Sequence, residues 1–223
     1  MAMFSVLLYY KYVQIEDPAA LMYAQKELCE RLDLKGRIIV AKEGINGTVE
    51  GKKVDIEKYI ETMKKDETFQ KTHFKLSQGT GSAFVKLSVK VRDEIVSGHL
   101  MSWDVNPNET TGKYLTAEQL HQWIAAKKQF YIVDMRNDYE QEVGAFENSV
   151  LPGLSNFRDL PKVLPKLEHL KDETVVTVCT GGVRCEKASG FLVKHGFADV
   201  YQLFGGIVTY MEKYPNEDFG GAL

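Results

Sequence analysis

The chain has 223 residues, 44% hydrophobic and 26% charged, which is enough apolar material for one large or two modest domains with real cores. No apolar run is long enough to span a bilayer, and residues 3–10 are too short and lack the basic lead of a signal peptide. Cys29, Cys179 and Cys185 form neither an even disulfide framework nor a C-x-x-C metal pair, so no metal is expected and the simplest setting is the reduced cytoplasm.

The formal charge of −3 is unevenly spread: residues 1–95 carry 16 Lys and Arg against 14 Asp and Glu, and the remainder is acidic. Between 52 and 92, ten basic residues stand against five acidic ones. Lys64, Lys65 and Lys71 belong to this excess and are candidates for contact with a phosphate backbone. An ordinary solvated lysine face would have the same composition.

In chain order, Phe4 to Tyr12 (FSVLLYYKY) reads as a strand. Asp17-Pro18 opens a helix as N-cap and first helical residue, with Leu21, Ala24, Leu28 and Leu32 at helical spacing and Cys29 in a packing role. Residues 37–41 (RIIVA) form a second strand. The segment KEGINGTVEG turns into a third, with Asn46-Gly47 as its sharpest corner. A helix over 52–64 follows, its apolar side supplied by Val54, Ile56, Tyr59, Ile60 and Met63. Then FVKLSVKV, residues 84–91, alternates strictly as a half-buried strand. The order β-α-β-β-α-β is that of a ferredoxin-like (acylphosphatase-like) α+β domain over 1–96. It holds no nucleophile–base pair of its own.

Residues 97–113 lose periodicity and read as a linker, with His99 and Trp103 expected to pack at the domain interface. From 114 to 223, strands and helices alternate, which predicts a doubly wound parallel α/β domain. Thr116 and Gln119 make a capping box for a helix through Leu120, Trp123 and Ile124. Residues 130–134 (FYIVD) form a strand ending in Asp134. Arg136 follows, and the two are suited to bracing a neighbouring loop by paired hydrogen bonds or to forming a plain buried ion pair.

The chemistry concentrates in TVVTVCTGGVRCEK, residues 174–187. A β-branched strand ends at Cys179, the short residues Thr180, Gly181 and Gly182 allow a tight curl, and Val183-Arg184 lead into a helix. Such a thiol faces converging N–H groups and the positive end of a helix dipole, which favour its thiolate. Cys179 is therefore the candidate nucleophile, with residues 180–184 as its anion cradle. Only four residues separate Cys179 from Arg184. That cradle suits one extra sulfur, a persulfide, better than a phosphoryl group. Cys185 is positioned to resolve an oxidised Cys179 or simply to pack.

CTGGVRC resembles the active-site loop of the rhodanese, or sulfurtransferase, family. VDMRNDYE resembles its first signature, with Gly144-Ala145-Phe146 where many members have Gly-His-Ile. YQLFGG resembles its closing motif. EGINGT, Asn156-Phe157-Arg158 with Pro161, and CTGGVRCEKAS are similar to one branch, the tRNA uridine(34) hydroxylases. The resemblance implies a rhodanese-like domain over 114–223. It also implies oxygen-dependent 5-hydroxylation of the wobble uridine with Cys179 essential, molecular oxygen as co-substrate, and tRNA bound at its anticodon region. In many members the chain continues beyond the point where this one ends, sometimes with a Cys-rich tail. No flavin motif or iron triad is recognisable. From the loop alone, a sulfurtransferase that draws on a small sulfur donor is the alternative. A non-catalytic RNA- or persulfide-binding module is the third.

Overall fold

A computed structural model describes residues 3–100 and 103–223. The chain divides into two compact units, Met1–Ile95 and Val96–Leu223. Among the described residues no helix is long and apolar enough to cross a membrane.

The first unit runs β1 (Phe4–Tyr12), α1 (Pro18–Arg31), β2 (Lys35–Ala41), β3 (Gly44–Lys52), α2 (Lys53–Lys65), β4 (Lys75–Gly79) and β5 (Leu87–Val91). Asp17 caps α1 by accepting from the Ala20 N–H at 2.9 Å. The sheet order is β4-β1-β3-β2-β5. The first four strands pair antiparallel, whereas β5 lies parallel to β2. Leu7, Tyr9, Ile38, Val40, Ile45 and Val49 from one sheet face pack with Leu28, Ile56, Tyr59 and Met63 of the two helices.

Three expectations change here. The ferredoxin-like unit closes on β4, not on the strand expected over 84–91, which is instead an added edge strand. β4 (KLSQG) buries only Lys75, whose ammonium lies 5.2 Å from the Tyr10 ring centroid, so it carries no apolar alternation to read. The corner between β2 and β3 falls at Lys42-Glu43; Asn46-Gly47 lies inside β3. Gly47 is there because a Cβ would sit 2.4 Å from the Tyr9 ring. Finally, Val54 is 53% exposed and contributes nothing to the apolar side of α2.

The second unit runs β6 (Lys113–Leu115), α3 (Ala117–Ala125), β7 (Tyr131–Asp134), α4 (Asp138–Gln141), β8 (Gly144–Phe146), α5 (Leu160–Leu167), β9 (Thr174–Val178), α6 (Val183–Lys194), β10 (Asp199–Leu203), α7 (Gly206–Lys213) and β11 (Phe219–Gly221). The sheet β6-β10-β9-β7 is parallel throughout. Its two faces feed two cores. Val133 and Val175 pack with Leu160, Phe191 and Leu192, while Ile132, Val176 and Val178 pack with Leu120, Ile207 and Tyr210. Burial on both faces is what a β-branched run such as VVTV predicts, and this is a doubly wound arrangement. The Thr116–Gln119 capping box opens α3 as expected.

The segment expected as a linker is built into this unit. Leu100 and Val105 are buried in its core, and Thr111 donates to the Glu186 carboxylate at 3.0 Å. Trp103 packs edge-on against Phe191 and over His195. Residues 101 and 102 of that segment lie outside the described residues.

Candidate active site

Cys179 follows directly on β9, at the carboxyl end of a central strand. Thr180, Gly181 and Gly182 turn the chain into α6. Gly182 is the N-cap with φ +97, a conformation that side chains resist, and its N–H donates to the Cys179 sulfur at 3.2 Å. Cys179 itself is fully buried. Burial alone would push its thiol up. That effect is outweighed by a hydrogen bond from the Cys185 thiol, the positive charge of Arg184, and the N–H groups of Cys185 and Gly182, which together bring Cys179 down to about 6. Cys185 moves the other way: burial and the neighbouring Cys179 thiolate hold it well above the ordinary thiol range. In this pair the negative charge is therefore favoured on Cys179 and the proton on Cys185, the direction a nucleophile at 179 requires.

Arg184 does not stand alone. Its two terminal nitrogens each donate to a different oxygen of Glu140 at 2.7 Å, a bidentate pair whose side chains are 16% and 19% exposed. Glu140 also accepts from the Thr180 hydroxyl at 3.1 Å and from the Asn137 N–H at 3.1 Å. One carboxylate thus ties both ends of the cradle to α4. Sequence reasoning missed Glu140. The available signal was N-x-x-E ahead of a short helix, a capping-box spacing inside the string VDMRNDYE.

Asp134 and Arg136 form a buried ion pair, with Arg136 Nη2 at 2.7 Å and Nε at 3.1 Å from the carboxylate. They do not brace the cysteine loop directly. The remaining donors of Arg136 go to the carbonyls of Gly144 (2.5 Å) and Glu140 (3.3 Å), so the pair fixes the segment that carries Glu140. Asp134 and Arg136 act on the loop through that segment.

The other wall comes from the Gly205-Gly206 turn. The N–H groups of Ile207 and Val208 donate to the carbonyls of Cys179 (2.9 Å) and Thr180 (3.1 Å). These bonds tie the two carbonyls to α7, while the N–H groups of Gly182 and Cys185 serve the sulfur. Gly206 has φ +74, and a Cβ there would lie 2.6 Å from the Thr180 carbonyl oxygen and 2.7 Å from that of Cys179. Gly206→Ala should therefore cost about 1–3 kcal/mol in backbone strain and also displace the cradle. Gly196 makes a matched control, since its φ is +85 but nothing lies within 4 Å. Thermal unfolding and the 240 nm thiolate absorbance of both variants check this: both should lose stability, and only Gly206→Ala should lose the thiolate signal at neutral pH.

The remaining candidates lie elsewhere. Lys64 and Lys65 are exposed in the last turn of α2 and Lys71 is exposed beyond it, all in the first unit. Cys29 is buried in the first unit's core, and burial pushes its thiol up to about 12.

Comparison with known proteins gives each unit a counterpart. The UPF0176 acylphosphatase like domain matches residues 4–95, and the Rhodanese-like domain matches residues 116–213. A protein of Cytophaga hutchinsonii named tRNA uridine(34) hydroxylase is 43% identical over 218 residues, covering 98% of this chain and 69% of its own. A protein of the same name from Staphylococcus carnosus is 47% identical over 208 residues, and the chain spans 65% of that relative's length. A solved rhodanese-like domain protein from Staphylococcus aureus aligns with half of this chain and 99% of its own, with 28% identity and a TM-score of 0.40.

Proposed function

The chain belongs to the tRNA uridine(34) hydroxylase family, and on that premise we propose that it hydroxylates C5 of the wobble uridine of tRNA in the cytoplasm. Molecular oxygen is the co-substrate and Cys179 the essential thiolate. The observation that carries this reading is the Cys179 sulfur, held at 3.2 Å from the Gly182 N–H in a loop whose Arg184 charge favours its thiolate, on a chain similar over almost its whole length to proteins of that name. An anticodon-loop base is unpaired and can enter an enzyme without the cost of opening a duplex. The first unit, more basic than the second, carries the docking of the polyanion.

A modified-nucleoside profile of tRNA tests the proposal. Cells lacking the gene should lose 5-hydroxylated uridine at the wobble position. The wild-type gene should restore it and Cys179→Ser should not. An unchanged profile sinks the reading.

The same cradle favours a second reading, because its N–H groups and Arg184 would hold a persulfide on Cys179 as well as a thiolate. That reading expects Cys179 to gain one sulfur, seen by mass, from a small sulfur donor, with the nucleoside profile unchanged by gene loss. A phosphatase reading fits poorly. Four residues between Cys179 and Arg184, with Arg184 already clamped by Glu140, leave no free fork for a phosphoryl group. No Cys179-dependent turnover of an aryl phosphate is expected.

A further inference from the structure

We propose that a basic groove over one face of the paired strands β2 and β5 is the surface that grips the tRNA backbone; this rests on tRNA being the substrate. The groove measures about 480 Å³ and is lined by Arg37, Lys86, Lys90 and Arg92, with Phe84 and Ser88 between them and no acidic residue.

The strand geometry puts these residues together. In the parallel pair, Arg37 faces Ser88 and Ile39 faces Lys90. The ladder continues at both ends, from the Gly36 N–H to the Lys86 carbonyl and from the Arg92 N–H to the Val40 carbonyl. Residues 86, 88, 90 and 92 therefore share one side of the sheet at the two-residue period of a strand. Leu87 and Val89 point the other way, into the core beneath α1 and α2. Over residues 86–90 the alternation thus separates the inward Leu87 and Val89 from a cationic face, while Val85 is exposed at the groove.

Lysines on an edge strand have an ordinary reason to be there, since they discourage pairing with another chain. That reason does not extend to Arg37, which lies on the inner strand β2. Arg37, Lys86, Lys90 and Arg92 are all exposed, and among the described residues none of them makes an ion pair. Four unneutralised cations lining one groove repel each other unless an anion joins them, and a phosphodiester chain supplies regularly spaced charge. Phe84 adds a ring on which an unpaired base can stack. The cluster at Lys64, Lys65 and Lys71 differs. Asp66 and Glu67 interrupt it, and its two helical lysines already complement the α2 dipole in the last turn.

The test is tRNA binding by the full chain across a salt series. The variants are the quadruple Arg37→Gln/Lys86→Gln/Lys90→Gln/Arg92→Gln, the charge-keeping double Arg37→Lys/Arg92→Lys, and the triple Lys64→Gln/Lys65→Gln/Lys71→Gln. The quadruple variant should bind about tenfold or more weakly, and its salt slope should fall by about 2 to 3, at roughly 0.7 for each phosphate of single-stranded RNA that is no longer neutralised. The charge-keeping double should retain the slope, which separates charge from folding. The triple should bind weaker by about twofold or less. Wild-type affinity in the quadruple variant, or an equal loss in the triple, overturns the groove and leaves the hydroxylase reading standing. Failure of the wild-type chain to bind tRNA at all overturns both.

Discussion

Replacing Cys179 with serine should abolish wobble-uridine hydroxylation, whereas Cys185→Ser should leave most of it. The two side chains are adjacent and both buried, but they are not equivalent. Cys179 receives the N–H of Gly182, the Cys185 thiol and the field of Arg184; Cys185 is the donor in that arrangement. A serine hydroxyl at 185 still donates to the sulfur. A serine at 179 cannot ionise near neutral pH. Cys185→Ala removes the donor and should raise the pH at which Cys179 ionises. The direct measurement is absorbance at 240 nm against pH, with a wild-type midpoint at about 6 that vanishes in Cys179→Ser. A stability consequence follows. The folded thiol ionises below its unfolded value of about 8.5, so its contribution is complete above that value and fades as pH falls toward 6. Between those limits wild type should gain stability over Cys179→Ser as pH rises. Equal loss of activity in the two serine variants would mean that both thiols take part and would overturn the assignment.

Features written in contiguous residues were legible in the sequence. The N-cap Asp17 with Pro18, the Thr116–Gln119 box, the buried run VVTV and the glycine turn after Cys179 each encode their geometry within a few positions. What escaped depends on partners far along the chain. β4 pairs along β1 but buries no alternating apolar face, so its sequence looks like a loop. Gly47 has the signature of a turn, yet it is glycine because the Tyr9 ring lies over it. Residues 97–113 show no periodicity because single anchors such as Leu100, Val105 and Thr111 hold them. Glu140 is 44 positions from Arg184, and its role became visible only when β7 and β9 lay side by side. Conversely, Asp134 and Arg136 were recognisable as a pair, but the direction of their bracing was not.

The second large effect is expected at Arg184. Arg184→Ala removes the cation that favours the Cys179 thiolate, so the 240 nm midpoint should move up and activity at neutral pH should fall sharply. It also leaves Glu140 with little solvent and no cationic partner. Breaking a buried pair from one side costs about 3–5 kcal/mol, and with these side chains 16% and 19% exposed the expected loss is nearer 2–4 kcal/mol. Arg184→Lys keeps the charge but cannot reproduce the two parallel 2.7 Å bonds, so it should restore the midpoint better than the stability. Glu140→Gln separates the two roles from the other side. It removes a negative charge, which leaves the thiolate at least as favoured, but it loosens the tether that positions Arg184 and Thr180. Its thiolate midpoint should therefore stay near or below about 6 while turnover drops. Combining Arg184→Ala with Glu140→Gln should destabilise by less than the sum of the two, because the second change removes the charge that the first left stranded. Strict additivity in that cycle would mean that the bidentate pair does not couple the cradle to α4, and that the loop is held by the α7 N–H groups alone.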